Sequence, residues 1–393
     1  MASGKWTVAA AAWLFPIFLV RVMRAHRPFR AYLLGVAALA FAGVVGWRGV
    51  IPGVGEGWLF VGIAAALALL EAVPFLVDRI LHPRLRGIVA TLALPTAFVA
   101  FHFAFSFLGP STGLVAYSLY GNDALVQCAS VAGVWGLSFL VHWVASGVNQ
   151  IWEEGFRFPS LRAPGLVPLA VVLGVVLWGG LRLALAPSPQ ETVRVALVAY
   201  PTNLPEDQPW LDREVEQRYW FGAPLGEDQW ERLGQGSRWI QDRLLTATAR
   251  EAASGARMVF WAEANAPVRT DDQEEFIARG AALAREHGIY LGMSLMVLPR
   301  GMEEGFLNKM VVVNPEGTEV VRYRKARPVP GPESWYMEAG DGEMALVDTR
   351  WGRVGIVICY DLDYIRDMRQ MRGKGVDILV QPSLTWPAPW RWR

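Results

Sequence analysis

From Trp6 to Ala186 the chain is a succession of long apolar runs, and that feature limits what its first half can become. A helix needs roughly 20 mostly apolar residues to cross the hydrocarbon layer of a bilayer. Six stretches reach or approach that length, at about 6–22, 31–47, 57–77, 87–109, 124–149 and 165–186. Pro16, Pro74 and Pro95 fall inside three of them, which packed membrane helices tolerate. Buried helices of a large soluble protein are the alternative, but they leave the alternating charges between the runs without a cause. Arg21, Arg24, Arg27 and Arg30 follow the first run, Arg79, Arg84 and Arg86 the third, and Arg157 and Arg162 the fifth. The second loop has only Arg48, and 110–123 has no Lys or Arg. Positive loops stay on the cytoplasmic side. The odd loops are therefore expected to be cytoplasmic, and the last run to deliver the chain to the external, periplasmic face.

Beyond Pro187 charged residues become frequent, which predicts a membrane helical domain over 1–186 and a polar domain over 187–393. Net charge is +1, so no global field points to nucleic acid. The two cysteines, Cys128 and Cys359, fall one in each region, which disfavours a disulfide within the chain. Of five histidines only His287 lies in the polar half, so no metal and no cofactor is expected.

The polar half reads as alternating strands and helices. Strands are expected at 192–200, 258–263, 289–298, 309–314, 318–325, 343–348, 353–359 and 376–381. Helices are expected at 227–254, 272–287 and 362–373. Two of the strand pairs join by tight turns, at Pro315-Glu316-Gly317 and at Trp351-Gly352, which favours a mixed α/β sandwich over a doubly wound sheet.

Three residues at strand ends could carry chemistry. Cys359 ends an apolar strand and precedes an expected helix, whose N-terminus would favour a thiolate and hold an oxyanion. A small buried core cysteine is the plainer reading. Glu263 follows four apolar residues and is partly desolvated, as a general base is, although an ordinary strand-end acid has the same pattern. Lys325 could steady an oxyanion, or it could be one more surface cation beside Arg322, Arg324 and Arg327. Together they supply a base, an oxyanion partner and a nucleophile, the set that acyl transfer through a thioester requires.

The order Glu263, Lys325, Cys359 resembles the Glu-Lys-Cys triad of the nitrilase (carbon–nitrogen hydrolase) superfamily. The strings WAEANAP, YRKARPVPGPE and GIVICYD around them fit it. Such a domain after a multi-helix membrane half looks like the apolipoprotein N-acyltransferases, and GVWGLSFLVHWVASGVN at 133–149 is similar to a helix of that family. The resemblance implies a multi-span helical membrane domain followed by an α-β-β-α sandwich. It implies Glu263 as base, Lys325 as oxyanion partner and Cys359 as nucleophile. Glu333 stands where the family has a second acid, Tyr360 matches the tyrosine after the nucleophile, and Trp210 falls near a tryptophan at the acyl-chain entrance. Asp361 departs from the glutamate usual in the acyltransferases and matches soluble amidases.

The resemblance further implies a phospholipid acyl donor, a lipoprotein acceptor and a bacterial inner-membrane location, and we expect a monomer. The family usually has more helices at its N-terminus, and its fold continues well past the nucleophile. Here the chain stops at PSLTWPAPWRWR, so a C-terminally incomplete domain is expected. The alternatives are a membrane-anchored amidase that uses water as acceptor and an inactive truncated homologue.

Overall fold

The computed structural model describes residues 8–48, 57–107, 114–155, 165–187, 191–199, 223–330 and 332–383. The chain divides into two compact units, Met1–Ser188 and Pro189–Arg393.

The first unit is helical. Its helices are α1 (Ala9–Ala25), α2 (Pro28–Trp47), α3 (Trp58–Glu71), α4 (Val73–Leu81), α5 (Ile88–Thr91), α6 (Ala93–Phe105), α7 (Asp123–Val126), α8 (Ala129–Glu153) and α9 (Val167–Ala184). Six crossings are expected from the sequence; among the described residues five helices are long and apolar enough. They span Pro28–Trp47, Trp58–Arg84, Ile88–Phe105, Ala129–Glu153 and Val167–Ala184. The expected first crossing falls on α1, which has 17 residues and ends in a turn bearing Arg24. At 1.5 Å per residue that helix rises roughly 26 Å, short of a hydrocarbon layer of about 30 Å.

Apolar side chains point outward from this unit. Leu173, Leu177 and Leu181 recur every fourth residue along α9 and are all exposed, forming a stripe suited to lipid. Polar side chains turn inward. Arg24 of α1 pairs with Asp78 of α4 through two hydrogen bonds of 2.8 and 2.9 Å and donates to Ser146 of α8 at 2.8 Å. The two charged side chains are 5% and 1% exposed, so their charges are met by each other and by few other groups.

The second unit is α/β. Its strands are β1 (Val195–Val198), β2 (Met258–Trp261), β3 (Ala266–Arg269), β4 (Tyr290–Leu298), β5 (Leu307–Val313), β6 (Glu319–Arg324), β7 (Ala345–Thr349), β8 (Gly352–Ile356) and β9 (Ile378–Val380). Two long helices, α10 (Glu227–Ala253) and α11 (Gln273–His287), precede β2 and β4. The larger sheet runs β1-β2-β4-β5-β6, with β3 also on β4; the smaller runs β7-β8-β9. Strands β1 to β4 pair in parallel, while β4-β5 and β5-β6 are antiparallel hairpin partners.

Alternation along the strands builds the layers. Val259 and Trp261 of β2, with Val311 and Val313 of β5, pack against Leu244 and Phe276 of the two long helices. Their neighbours Met258, Phe260, Met310 and Val312 face the other way, against Val347, Val354, Ile356 and Val380 of the smaller sheet. The result is helices on a sheet on a sheet. The parallel β8–β9 pair requires a crossover, supplied by the short helices α12 (Ile365–Met368) and α13 (Gln370–Lys374). The single helix expected over 362–373 is thus broken into two pieces.

Candidate active site

The strand expected at 258–263 ends at Trp261, and an unexpected strand, β3, begins at Ala266. Both pair with β4, β2 through Tyr290–Gly292 and β3 through Leu295–Leu298. Glu263 sits in the gap between them. There the backbone leaves the ladder and Ala264 takes a positive φ of 51°. Glu263 is 3% exposed, a carboxylate fixed in the middle of a sheet rather than at its solvated end.

Lys325 follows the last residue of β6 and is 1% exposed. Its ammonium donates to Glu263 Oε1 at 2.8 Å and to Glu333 Oε1 at 2.7 Å. Asn308 of β5 lies beside it, and its amide donates to the same two oxygens at 2.9 and 3.4 Å. The other oxygen of Glu333 takes the Val329 N–H at 2.7 Å. One lysine and one amide therefore hold two carboxylates together. Burial opposes the lysine's charge, but Glu263 and Glu333 outweigh it and hold its pKa above the ordinary lysine value. Lys325 therefore stays protonated at neutral pH and acts as a donor, never as a base. An ammonium has three donors; two go to the carboxylates, and among the described residues no hydrogen-bond acceptor takes the third.

Cys359 follows β8 and begins a five-residue 3-10 turn, Cys359–Asp363, not the long helix expected from the sequence. So short a turn has little macrodipole, and the helix-terminus argument for thiolate stabilisation falls away. Backbone geometry replaces it. Cys359 has φ +46°, and it and Ala264 are the only non-glycine residues with positive φ among those described. Such conformations cost of order 1–3 kcal/mol each and persist only where surrounding contacts enforce them. The contacts are visible: the Cys359 N–H donates to Pro382 O at 2.8 Å, and its carbonyl accepts from Gln381 at 2.9 Å.

Asp361, 3% exposed, ties this turn to the lysine strand. Its Oδ1 accepts the N–H groups of Ala326 and Arg327 at 3.1 and 2.8 Å, immediately after Lys325. Its Oδ2 accepts Tyr323 Oη–H at 2.8 Å and the Ile358 N–H at 3.0 Å. Burial pushes this carboxyl above the ordinary aspartate value against the pull of those donors. Tyr360 is half-buried with its ring edge-on to Tyr364, and burial raises its phenol so that it stays protonated. Trp210 lies outside the described residues.

The structure thus joins Glu263, Lys325 and Glu333 directly, and links Cys359 to Lys325 through Asp361. Asn308 and Tyr323 escaped the sequence reading. Asn308 had no signal. Tyr323, two residues before Lys325 on an alternating strand, had one in its parity.

Residues 2–147 match the model of the apolipoprotein N-acyltransferase N-terminal domain, and residues 221–393 that of the carbon-nitrogen hydrolases. The chain is similar to an apolipoprotein N-acyltransferase of Geobacter metallireducens, 24% identical over 90% of this chain and 69% of that protein. An Arabidopsis thaliana N-carbamoylputrescine amidase is 28% identical over 27% of the chain and 36% of its own length. A mouse deaminated glutathione amidase is 32% identical over 30% of the chain and 41% of its own length. A crystal structure of a Nesterenkonia amidase covers half of the chain and 67% of its own, at 18% identity and a TM-score of 0.37. The chain thus spans less than half the length of the Arabidopsis and mouse amidases.

An apolar helical unit joined to a carbon–nitrogen hydrolase unit defines a membrane protein of the nitrilase superfamily. Both matched models and the Geobacter relative together place the chain with the apolipoprotein N-acyltransferase-like proteins of that superfamily.

Proposed function

We propose that the chain moves a fatty acyl group from a phospholipid to the N-terminal cysteine amine of an apolipoprotein, through a thioester on Cys359. The observation that carries this reading is the buried Glu263–Lys325–Glu333 cluster, braced to the Cys359 turn, in a chain that also has bilayer-length helices. Glu263 takes the thiol proton as Cys359 Sγ attacks the ester carbonyl. The remaining Lys325 donor and nearby N–H groups meet the oxyanion. The C–O bond breaks, the lysophospholipid oxygen leaves with the proton from Glu263, and an acyl-Cys359 thioester remains. The acceptor amine then attacks the thioester and gives a proton to Glu263, the C–S bond breaks, and Glu263 passes that proton to the departing Cys359 Sγ, which leaves the amide product and the free thiol. In this reading the apolar unit tethers the site to the bilayer of the bacterial inner membrane, and the loop arginines support a catalytic unit on the periplasmic face.

Membranes containing the protein are incubated with a phospholipid labelled in its acyl chain. We expect a hydroxylamine-sensitive acyl-protein adduct, absent in Cys359→Ala. Equal labelling of both chains would sink the nucleophile assignment. Asp361, matching soluble amidases, favours hydrolysis as a second reading. A diacylated lipopeptide separates the two, since transfer consumes the adduct into an N-acyl peptide and hydrolysis releases fatty acid.

A further inference from the structure

We propose that Tyr323 is a positioning residue of the acyl-transfer site, holding Asp361 as the brace that fixes the Cys359 turn against the end of β6. The proposal rests on the reading of Cys359 as nucleophile given above.

The geometry is a four-point clamp. Three donors come from the lysine side, the Tyr323 hydroxyl and the Ala326 and Arg327 N–H groups, and they bracket Lys325 on both flanks. The fourth, from Ile358, precedes Cys359, and Asp361 itself lies two residues after it. Both oxygens of the carboxylate therefore accept two hydrogen bonds each. The four direct donors are all neutral, and the Lys325 charge adds to them from beyond hydrogen-bond distance. Of the four, the tyrosine hydroxyl is the only side-chain donor and the only one that a substitution removes cleanly.

The clamp has a load to hold. Cys359 has a left-handed backbone, which relaxes once its enforcing contacts loosen. Tyr323 is suited to enforce it. The ring is 4% exposed and packs in the core between the two sheets beside Met310 and Val321, so the hydroxyl has little freedom to swing away. The parity of β6 puts Val321 and Tyr323 on that buried face, while Arg322 and Arg324 point outward. A nucleophile displaced by about 1 Å loses roughly a hundredfold in rate. The hydroxyl's effect on chemistry is thus indirect: it sets where the thiol stands relative to Glu263 and Lys325.

The test compares the full-length wild type with Tyr323→Phe, both carrying Cys128→Ser so that one thiol remains. Amide hydrogen exchange over 358–361 is expected to rise about tenfold in the variant. The kcat for acyl transfer is expected to fall about tenfold, with KM within about twofold. The pH profile for alkylation of Cys359 by iodoacetamide should change. Unchanged exchange and an unchanged alkylation curve overturn the proposal. Val321→Ala is the control, because it opens the same core without touching Asp361; if it reproduces the effects of Tyr323→Phe, the role is packing and the proposal also falls. A wild type that forms no acyl adduct counts against the acyl-transfer reading alone, since hydrogen exchange reads the brace without any acyl chemistry.

Discussion

Lys325 is a cation that the fold buries almost completely and meets with two carboxylates. Removing one partner of a buried charge cluster costs about 3–5 kcal/mol, because the remaining charges lose their compensation. Lys325→Met is therefore expected to lower stability by about that amount, read from thermal unfolding in detergent, and to abolish the acyl adduct. A variant with full adduct formation would exclude Lys325 from the chemistry. Asp363, four residues past Cys359, behaves differently. Burial pushes its carboxyl from 3.8 up to about 6. Its folded pKa exceeds its unfolded one, so between those values the folded state binds more protons and stability falls as pH rises. Asp363→Asn should remove that slope and raise the unfolding midpoint at pH 7 relative to wild type, with little difference at pH 4. A wild-type midpoint that does not fall over this window would refute the assignment.

At the scale of elements, the site depends on where strands stop. The sequence marks β2 by its apolar run but gives no sign that the ladder breaks after Trp261 and resumes at Ala266. That break, decided by pairing along β4, turns Glu263 from a strand-end acid into a buried one. The turn after β8 shows the reverse. Polar and apolar residues over 362–373 follow a helical pattern, yet the chain there must cross over to the parallel strand β9, and it breaks into α12 and α13. In the helical unit the element-scale bond is Arg24 to Asp78, joining α1 to α4, with Ser146 of α8 alongside. Asp78→Ala should destabilise this unit by about 3–5 kcal/mol, since Arg24 would remain buried and uncompensated. The double variant Arg24→Leu with Asp78→Leu should recover much of that loss. Equal thermal midpoints for the single and double variants would show that the ion pair is not what holds these helices.

The whole molecule is two units of opposite solvent preference on one chain. Loop arginines argue for one orientation, with the α/β unit outside. The exposed Ser254, in a chain lacking Cys128 and Cys359, offers a reporter as Ser254→Cys. A membrane-impermeant maleimide should label it in intact spheroplasts. Labelling only in inverted vesicles would reverse the topology and remove the periplasmic lipoprotein from consideration as acceptor.

Hydropathy alone determined the helical unit, because exposing so many consecutive apolar residues to water is prohibitive. Local strings alone carried the likeness to the nitrilase superfamily and the residues Glu263, Lys325 and Cys359. What only the tertiary structure decided is how those residues meet. The Asn308 amide against both carboxylates, the Cys359–Pro382 backbone bond beside the positive φ of Cys359, and the Tyr323–Asp361 brace each join positions distant in sequence. Hydrogen bonds of that kind follow from which strands become neighbours, and strand order depends on long-range pairing that periodicity does not encode.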